Sequence, residues 1–194
     1  SSDVCSSDLE ALAEGGIQLI EVTMNTEGAV DAIRRAVRRY GGKISIGAGT
    51  VLDEEMARQA LDAGAQYLIS PNVDEGMIAF GLKQGAVVWP GAMTPTEIVR
   101  AWKLGAGAIK VFPSGSLGLS YIKEIRAPLS HIPMIATGGV SLDNVTAFLE
   151  AGVVGVGIGG NLVDRKRIAA GKFDEIRDLA EQFVRKVKAF RAQS

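Results

Sequence analysis

A lysine in the middle of an apolar run is the first residue in this chain that could do chemistry. Gly105-Ala106-Gly107-Ala108-Ile109-Lys110-Val111-Phe112-Pro113 reads as a short strand. Side chains alternate across a strand, so Ala108, Lys110 and Phe112 share one face and Ile109 and Val111 the other. A charged amine in such a run is costly unless it is paired or neutral. Two readings stand: Lys110 at a strand end, reaching water along its own stem, or a desolvated amine nucleophile whose pKa burial lowers. Glu21 ends a second apolar run, Ile17-Gln18-Leu19-Ile20-Glu21. A carboxylate beside a buried amine can take and return protons during imine formation, or it can simply form a salt bridge to Lys110 or an arginine. Two glycine pairs, Gly138-Gly139 and Gly159-Gly160, let main-chain N–H groups close on an anion, with a following helix start adding positive potential. Thr50 and Thr137 offer hydroxyls at comparable strand ends, where they could equally cap the turns that follow.

The elements that must position these residues alternate. Strands are expected at Ile17–Thr23, Ile44–Thr50, Tyr67–Ser70, Ala86–Trp89, around Lys110, at Pro133–Thr137 and at Val153–Val156. Helices are expected between them: Thr26–Tyr40, one capped by Asp53 and ended by Gly64, Asp74–Gln84, one opened by the capping box Thr94-Pro95-Thr96-Glu97, Ser120–Arg126, and one capped by Ser141 and closed by Gly152. A final amphipathic helix runs over Phe173–Phe190. Seven strand–helix units at a spacing of roughly 20–27 residues point to stacked βα units. Between an open doubly wound sheet and a closed (β/α)₈ TIM barrel, the pattern favours the barrel. Polar or glycine residues punctuate nearly every strand's C-terminal end, and the last two strands end in glycine pairs, where barrels commonly hold phosphate.

Composition limits the function classes. The chain has 194 residues, 47% of them hydrophobic, which suits a sizeable core. A net charge of -1 argues against a general nucleic-acid or membrane-surface binder, and no apolar run is long enough to span a bilayer. The single cysteine, Cys5, excludes an internal disulfide and fits a cytoplasmic protein. His131 is the only histidine and reads as a loop residue, so a histidine triad or a multi-histidine metal site is not expected.

Residues 1–9 show no helical or strand period, and Ser2-Asp3 and Ser6-Ser7-Asp8 read as turn-like. They resemble the translation of a sequencing adapter and are read as a non-native tail, leaving residues 10–194 as a single barrel domain. On that reading the eighth unit, the first strand and its helix, is missing from the N-terminal end.

Glu21-Val22-Thr23, Gly47-Ala48-Gly49-Thr50-Val51, Ser70-Pro71, Pro90-Gly91 followed by Thr94-Pro95, Lys110-Val111-Phe112-Pro113 and Thr137-Gly138-Gly139-Val140 occur in that order. Together they resemble the 2-keto-3-deoxy-6-phosphogluconate (KDPG) aldolase family, which includes 4-hydroxy-2-oxoglutarate and 6-phosphogalactonate aldolases. The resemblance implies a metal-free and cofactor-free class I aldolase, a homotrimer, acting on a phosphorylated keto acid. It implies Lys110 as the Schiff-base lysine, Glu21 as the general acid/base and Thr50 at the pyruvate carboxylate. Phe112 would lie beside the imine, with Pro90 also lining the substrate site, and Thr137 would influence stereochemical preference. Phosphate would be bound by Gly138, Gly139, Gly159, Gly160 and Asn161. The chain departs from the family at Asn25, where many members use arginine on the substrate's anionic groups, and at Asn72, Ala136 and Asn161, which replace a frequent glycine, proline and serine. Other readings are a thiamine phosphate synthase-like or epimerase-like phosphate-binding barrel, and an inactive remnant that only binds phosphorylated ligands.

Overall fold

A computed structural model describes residues 4–193. The chain falls into two compact units. One comprises Leu19–Phe112 with His131–Met134; the other comprises the residues up to Gln18, Pro113–Ser130 and everything from Ile135 on.

In the unit that carries Lys110, parallel strands β1 (Leu19–Thr23), β2 (Ser45–Gly49), β3 (Tyr67–Ile69) and β4 (Val87–Trp89) pair in sequence order. Helices α2 (Ala29–Tyr40), α3 (Glu54–Asp62) and α4 (Glu75–Lys83) alternate with them. β5 (Gly91–Ala92) pairs in parallel with β6 (Ile109–Val111) across α5 (Pro95–Lys103). The period of two decides which side chains form the core. Ile20, Ile46, Ala48, Leu68 and Val88 alternate to one face and are almost fully buried, each large one contributing about 1.5–3 kcal/mol. The opposite face presents Glu21, Gly47, Gly49, Tyr67, Ile69 and Trp89. The capping signals act as read: Asp53 and Asp74 accept from the Met56 and Met77 amides, and Thr94 and Glu97 close a full capping box. Thr26–Gly28 are a turn and not the first turn of a helix. Gly28 stands at the N-cap with φ 72°, so α2 starts only at Ala29.

The other unit pairs β7 (Met134–Thr137) in parallel with β8 (Gly155–Gly157). Around this pair lie α1 (Val4–Glu14), α6 (Ser114–Arg126), α7 (Val145–Glu150), α8 (Arg165–Ala169) and α9 (Phe173–Arg191). Helix α1 overturns the aperiodic reading of residues 4–9; Ser2 and Asp3 lie outside the described residues. Leu9, Ala11 and Leu12 are buried, α1 packs along α9, and Gly15 sits so close that an added Cβ would lie 2.4 Å from Ala180 Cβ. The docking of Leu9 and Leu12 outweighs the weak local propensity of the serines. Asp8, half-buried in this helix, has its carboxyl pushed up to about 6 by burial. Ser141 does not cap α7. The N-cap is Asn144, just before the helix, and its Oδ1 accepts from the Ser141 amide instead. α6 starts six residues earlier than expected, broken at Gly118 (φ 84°), and α8, capped by Asp164, was not expected.

Strands in both units pair in parallel and helices separate them, the α/β organisation expected. No helix among the described residues is long and apolar enough to cross a membrane.

Candidate active site

Lys110 is central to β6, flanked by the fully buried Ile109 and Val111, and is itself only 8% exposed. Its amide donates to Pro90 O (2.9 Å), and its register partner is Gly91, where an added Cβ would meet the Pro71 backbone at 2.3 Å. The buried Pro90 carbonyl therefore holds the β6 backbone from one side, and Gly91 lets the Pro71 backbone approach closely. Phe112 follows on the same face, 36% exposed, with its ring centroid 5.0 Å from Lys110 Nζ.

The Lys110 amine and the Glu21 carboxyl act on one another electrostatically. Burial lowers the Lys110 amine from its ordinary value, and the Glu21 charge opposes that shift. Glu21 keeps solvent access but is surrounded closely enough that desolvation raises its carboxyl, against the pull of Lys110. Both shifts favour the uncharged forms, which suits an amine that must attack and a carboxyl that must give and take protons. The strand-end alternative for Lys110, with its charge in water, does not fit this burial.

Glycines in β2 make room for Glu21. A Cβ at Gly49 would lie 2.8 Å from Glu21 Cδ and 2.9–3.0 Å from its carboxyl oxygens. Thr50, next in the chain, is half-buried with φ 55°, the left-handed region that β-branched residues avoid; among the described residues it is the one non-glycine there. Ser70, fully buried at the end of β3, donates to Asn72 O, closing the Ser-Pro turn. Asn25 is exposed in the turn after β1.

The remaining expected site residues lie in the other unit. Gly138 and Gly139 have φ 88° and 76°, and the Gly115 amide donates to Gly138 O (2.7 Å). An added Cβ at Gly139 would meet Gly115 Cα at 2.9 Å, so this turn admits only glycine. The Thr137 amide donates to the buried Ser114 Oγ, and the Thr137 side chain occupies the space a Cβ at Gly157 would need. Gly159 and Gly160 are exposed and open around their Cα atoms, while Asn161 Nδ2 donates to Val140 O (2.7 Å). The expected helix start does not follow directly: α7 opens at Val145 and α8 at Arg165, so the amides at both glycine pairs are loop amides. Among the described residues no cluster of three or more His, Cys, Asp or Glu side chains could hold a metal ion.

Sequence reasoning missed Tyr67 and Trp89. Tyr67 is buried on β3, its ring lying where a Cβ at Gly47 would fall, 2.2 Å from Cε2, and 5.1 Å from the Trp89 ring. The signal that could have found it is Gly47-Ala48-Gly49: two glycines two apart leave one strand face bare for large neighbours.

Comparison with known proteins places the chain in a family. The chain is 34% identical over 190 residues to the 2-dehydro-3-deoxy-6-phosphogalactonate aldolase of Escherichia coli K12, covering 97% of this chain and 89% of that one. A solved structure described as native KDPGal superposes with a TM-score of 0.92 at 31% identity, over 99% of this chain and 92% of that one. The KDPG aldolase of Legionella pneumophila, solved with pyruvate captured as a covalent carbinolamine, superposes with a TM-score of 0.86 at 26% identity, over 93% of this chain and 88% of that one. The family model for KDPG and KHG aldolases matches residues 2–179, and the chain belongs to that family.

Proposed function

We propose that this chain is a class I aldolase that splits 2-keto-3-deoxy-6-phosphogluconate into pyruvate and glyceraldehyde 3-phosphate, on a (β/α)₈ TIM-barrel scaffold that assembles as a homotrimer. The observation that supports it best is the buried amine of Lys110, shifted toward neutrality and within electrostatic reach of the Glu21 carboxyl.

The neutral amine attacks the C2 carbonyl, and the carbinolamine loses water to give a protonated imine. Glu21 carries the protons of that dehydration through a water. It then takes the C4 hydroxyl proton as the C3–C4 bond breaks. The bonding pair flows into the imine, forming an enamine, and the aldehyde leaves. Protonation of C3 and hydrolysis of the imine release pyruvate and restore Lys110. Thr50 and Phe112 hold the pyruvyl end, with Pro90 supporting the Lys110 backbone. The loop amides at Gly138, Gly139, Gly159 and Gly160, with Asn161, hold the phosphate, and Thr137 bears on the configuration at C4. A second reading, the 6-phosphogalactonate epimer as substrate, is favoured by the similarity over nearly the whole chain to the Escherichia coli phosphogalactonate aldolase.

Incubation with pyruvate and borohydride, followed by peptide mass mapping, tests the reading. A reduced pyruvyl adduct on Lys110 is expected, and an adduct elsewhere or none refutes it. Turnover of the two phosphorylated epimers side by side decides between them.

A further inference from the structure

The face of β2 opposite Ile46 and Ala48 carries no side chains at Gly47 and Gly49, and a neighbour from each side fills the space. Glu21 comes from β1, where its register partner is Gly47, and lays its carboxyl over Gly49. Tyr67 comes from β3 and lays its ring on Gly47, with Cε2, Cζ and Cδ2 2.2–2.4 Å from where a Cβ would sit. The two side chains thus occupy adjacent places on one strand, in one compact unit. Tyr67 cannot withdraw, because Trp89 stacks behind it at 5.1 Å with a 35° tilt, and Tyr67 is only 5% exposed. An aromatic ring of defined rotamer backed by a second ring is a rigid wall. Glu21, by contrast, is a long flexible side chain with solvent access.

We propose that Tyr67 is a positioning residue for the reaction: its ring, seated on Gly47 and backed by Trp89, confines the Glu21 carboxyl to its place over Gly49 and covers one side of it. The proposal rests on the aldolase reading above. The wall acts through shape. The phenol is held above its ordinary range by burial and by the Glu21 charge, so it stays protonated and is no proton carrier at neutral pH. The other charged group that bears on Glu21 is Lys110, on β6.

The test is a mutant cycle on the full chain, read by aldolase kcat, by borohydride trapping with pyruvate, and by thermal unfolding. Tyr67→Phe keeps the ring and should retain kcat within about threefold, whereas Tyr67→Ala should lose about 10–100-fold, the scale of an ångström's misplacement. The acid limb of the Tyr67→Ala pH profile should move down toward the ordinary carboxylate range, since water reaching Glu21 removes the desolvation that raises it. Gly47→Ala attacks the same contact from below and should lower kcat similarly; adding Tyr67→Ala to it should not deepen the loss, because the Cβ then fits the vacated space. In a Glu21→Gln background Tyr67→Ala should cost nothing further. An equal loss in both backgrounds, or an unmoved pH profile, overturns the proposal, and so does full activity of Tyr67→Ala. If Tyr67→Ala does not fold, Gly47→Ala in the two Glu21 backgrounds decides the question in its place. Absence of a wild-type adduct on Lys110 refutes the aldolase reading instead, and the proposal falls with it. A trapped adduct with additive losses refutes the proposal alone.

Discussion

Replacing Gly49 with alanine perturbs one thing, the seat of the Glu21 carboxyl. The new Cβ would stand 2.8 Å from Glu21 Cδ, so the carboxyl must retreat by about half an ångström to reach an ordinary carbon–carbon contact near 3.4 Å. The backbone need not move, because Gly49 is not in the left-handed region and the obstructing atoms are the end of a flexible side chain. Removing a glycine from a strand recovers up to about 0.5–1 kcal/mol of backbone entropy penalty, which offsets the crowding, so the melting temperature should hardly change. Catalysis should suffer more. A misplacement of about 1 Å costs on the order of 100-fold, so half of that predicts about a tenfold fall in kcat. The assay couples released pyruvate to NADH-dependent reduction, with Gly155→Ala, where an added Cβ meets nothing within 4 Å, as a strand-glycine control. A folded Gly49→Ala protein that turns over at the wild-type rate would refute the idea that the Glu21 position limits the reaction.

Gly160→Val should raise KM for a phosphorylated substrate while sparing 4-hydroxy-2-oxoglutarate, because it narrows an open loop; equal losses on both substrates would count against a phosphate site there. The capping box at α5 should show a pH signature: hydrogen bonds from the Met93 and Thr94 amides hold the Glu97 carboxyl below its ordinary value. A depressed carboxylate stabilises the fold above its unfolded pKa and loses that contribution as the pH falls through the folded one. Glu97→Ala should therefore lower the melting temperature at pH 7, and the difference from wild type should shrink on acidification; a constant difference refutes the assignment.

The elements around Lys110 were legible because each carries its own signal. Asp53, Asp74 and the Thr94–Glu97 box announce helix starts in the side-chain chemistry itself, and Ile46, Leu68 and Val88 announce strands by being wholly apolar. Lys110 stood out for the converse reason, as a polar residue in an apolar run. What escaped the sequence depends on partners distant along the chain. Helix α1 forms because Leu9 and Leu12 dock where α9 lies, some 170 residues later, and nothing in residues 4–9 advertises it. Ser141 looks like a cap, but Asn144, three residues on, takes the position, and only the fold of the loop decides between two good capping residues. Tyr67 reads as an ordinary core aromatic until the bare face of β2 is seen beside it.

The left-handed backbone at Thr50 has a consequence for how the sequence can drift. A β-branched residue there carries strain of about 1–3 kcal/mol, a noticeable fraction of the roughly 5–15 kcal/mol by which a domain is stable. Glycine would relieve it with a single substitution. A lineage selected only to remain folded would therefore leave threonine behind. On the role proposed above for Thr50 at the pyruvyl end, threonine is kept only while catalysis is needed, and once it is not, this position should be among the first to change.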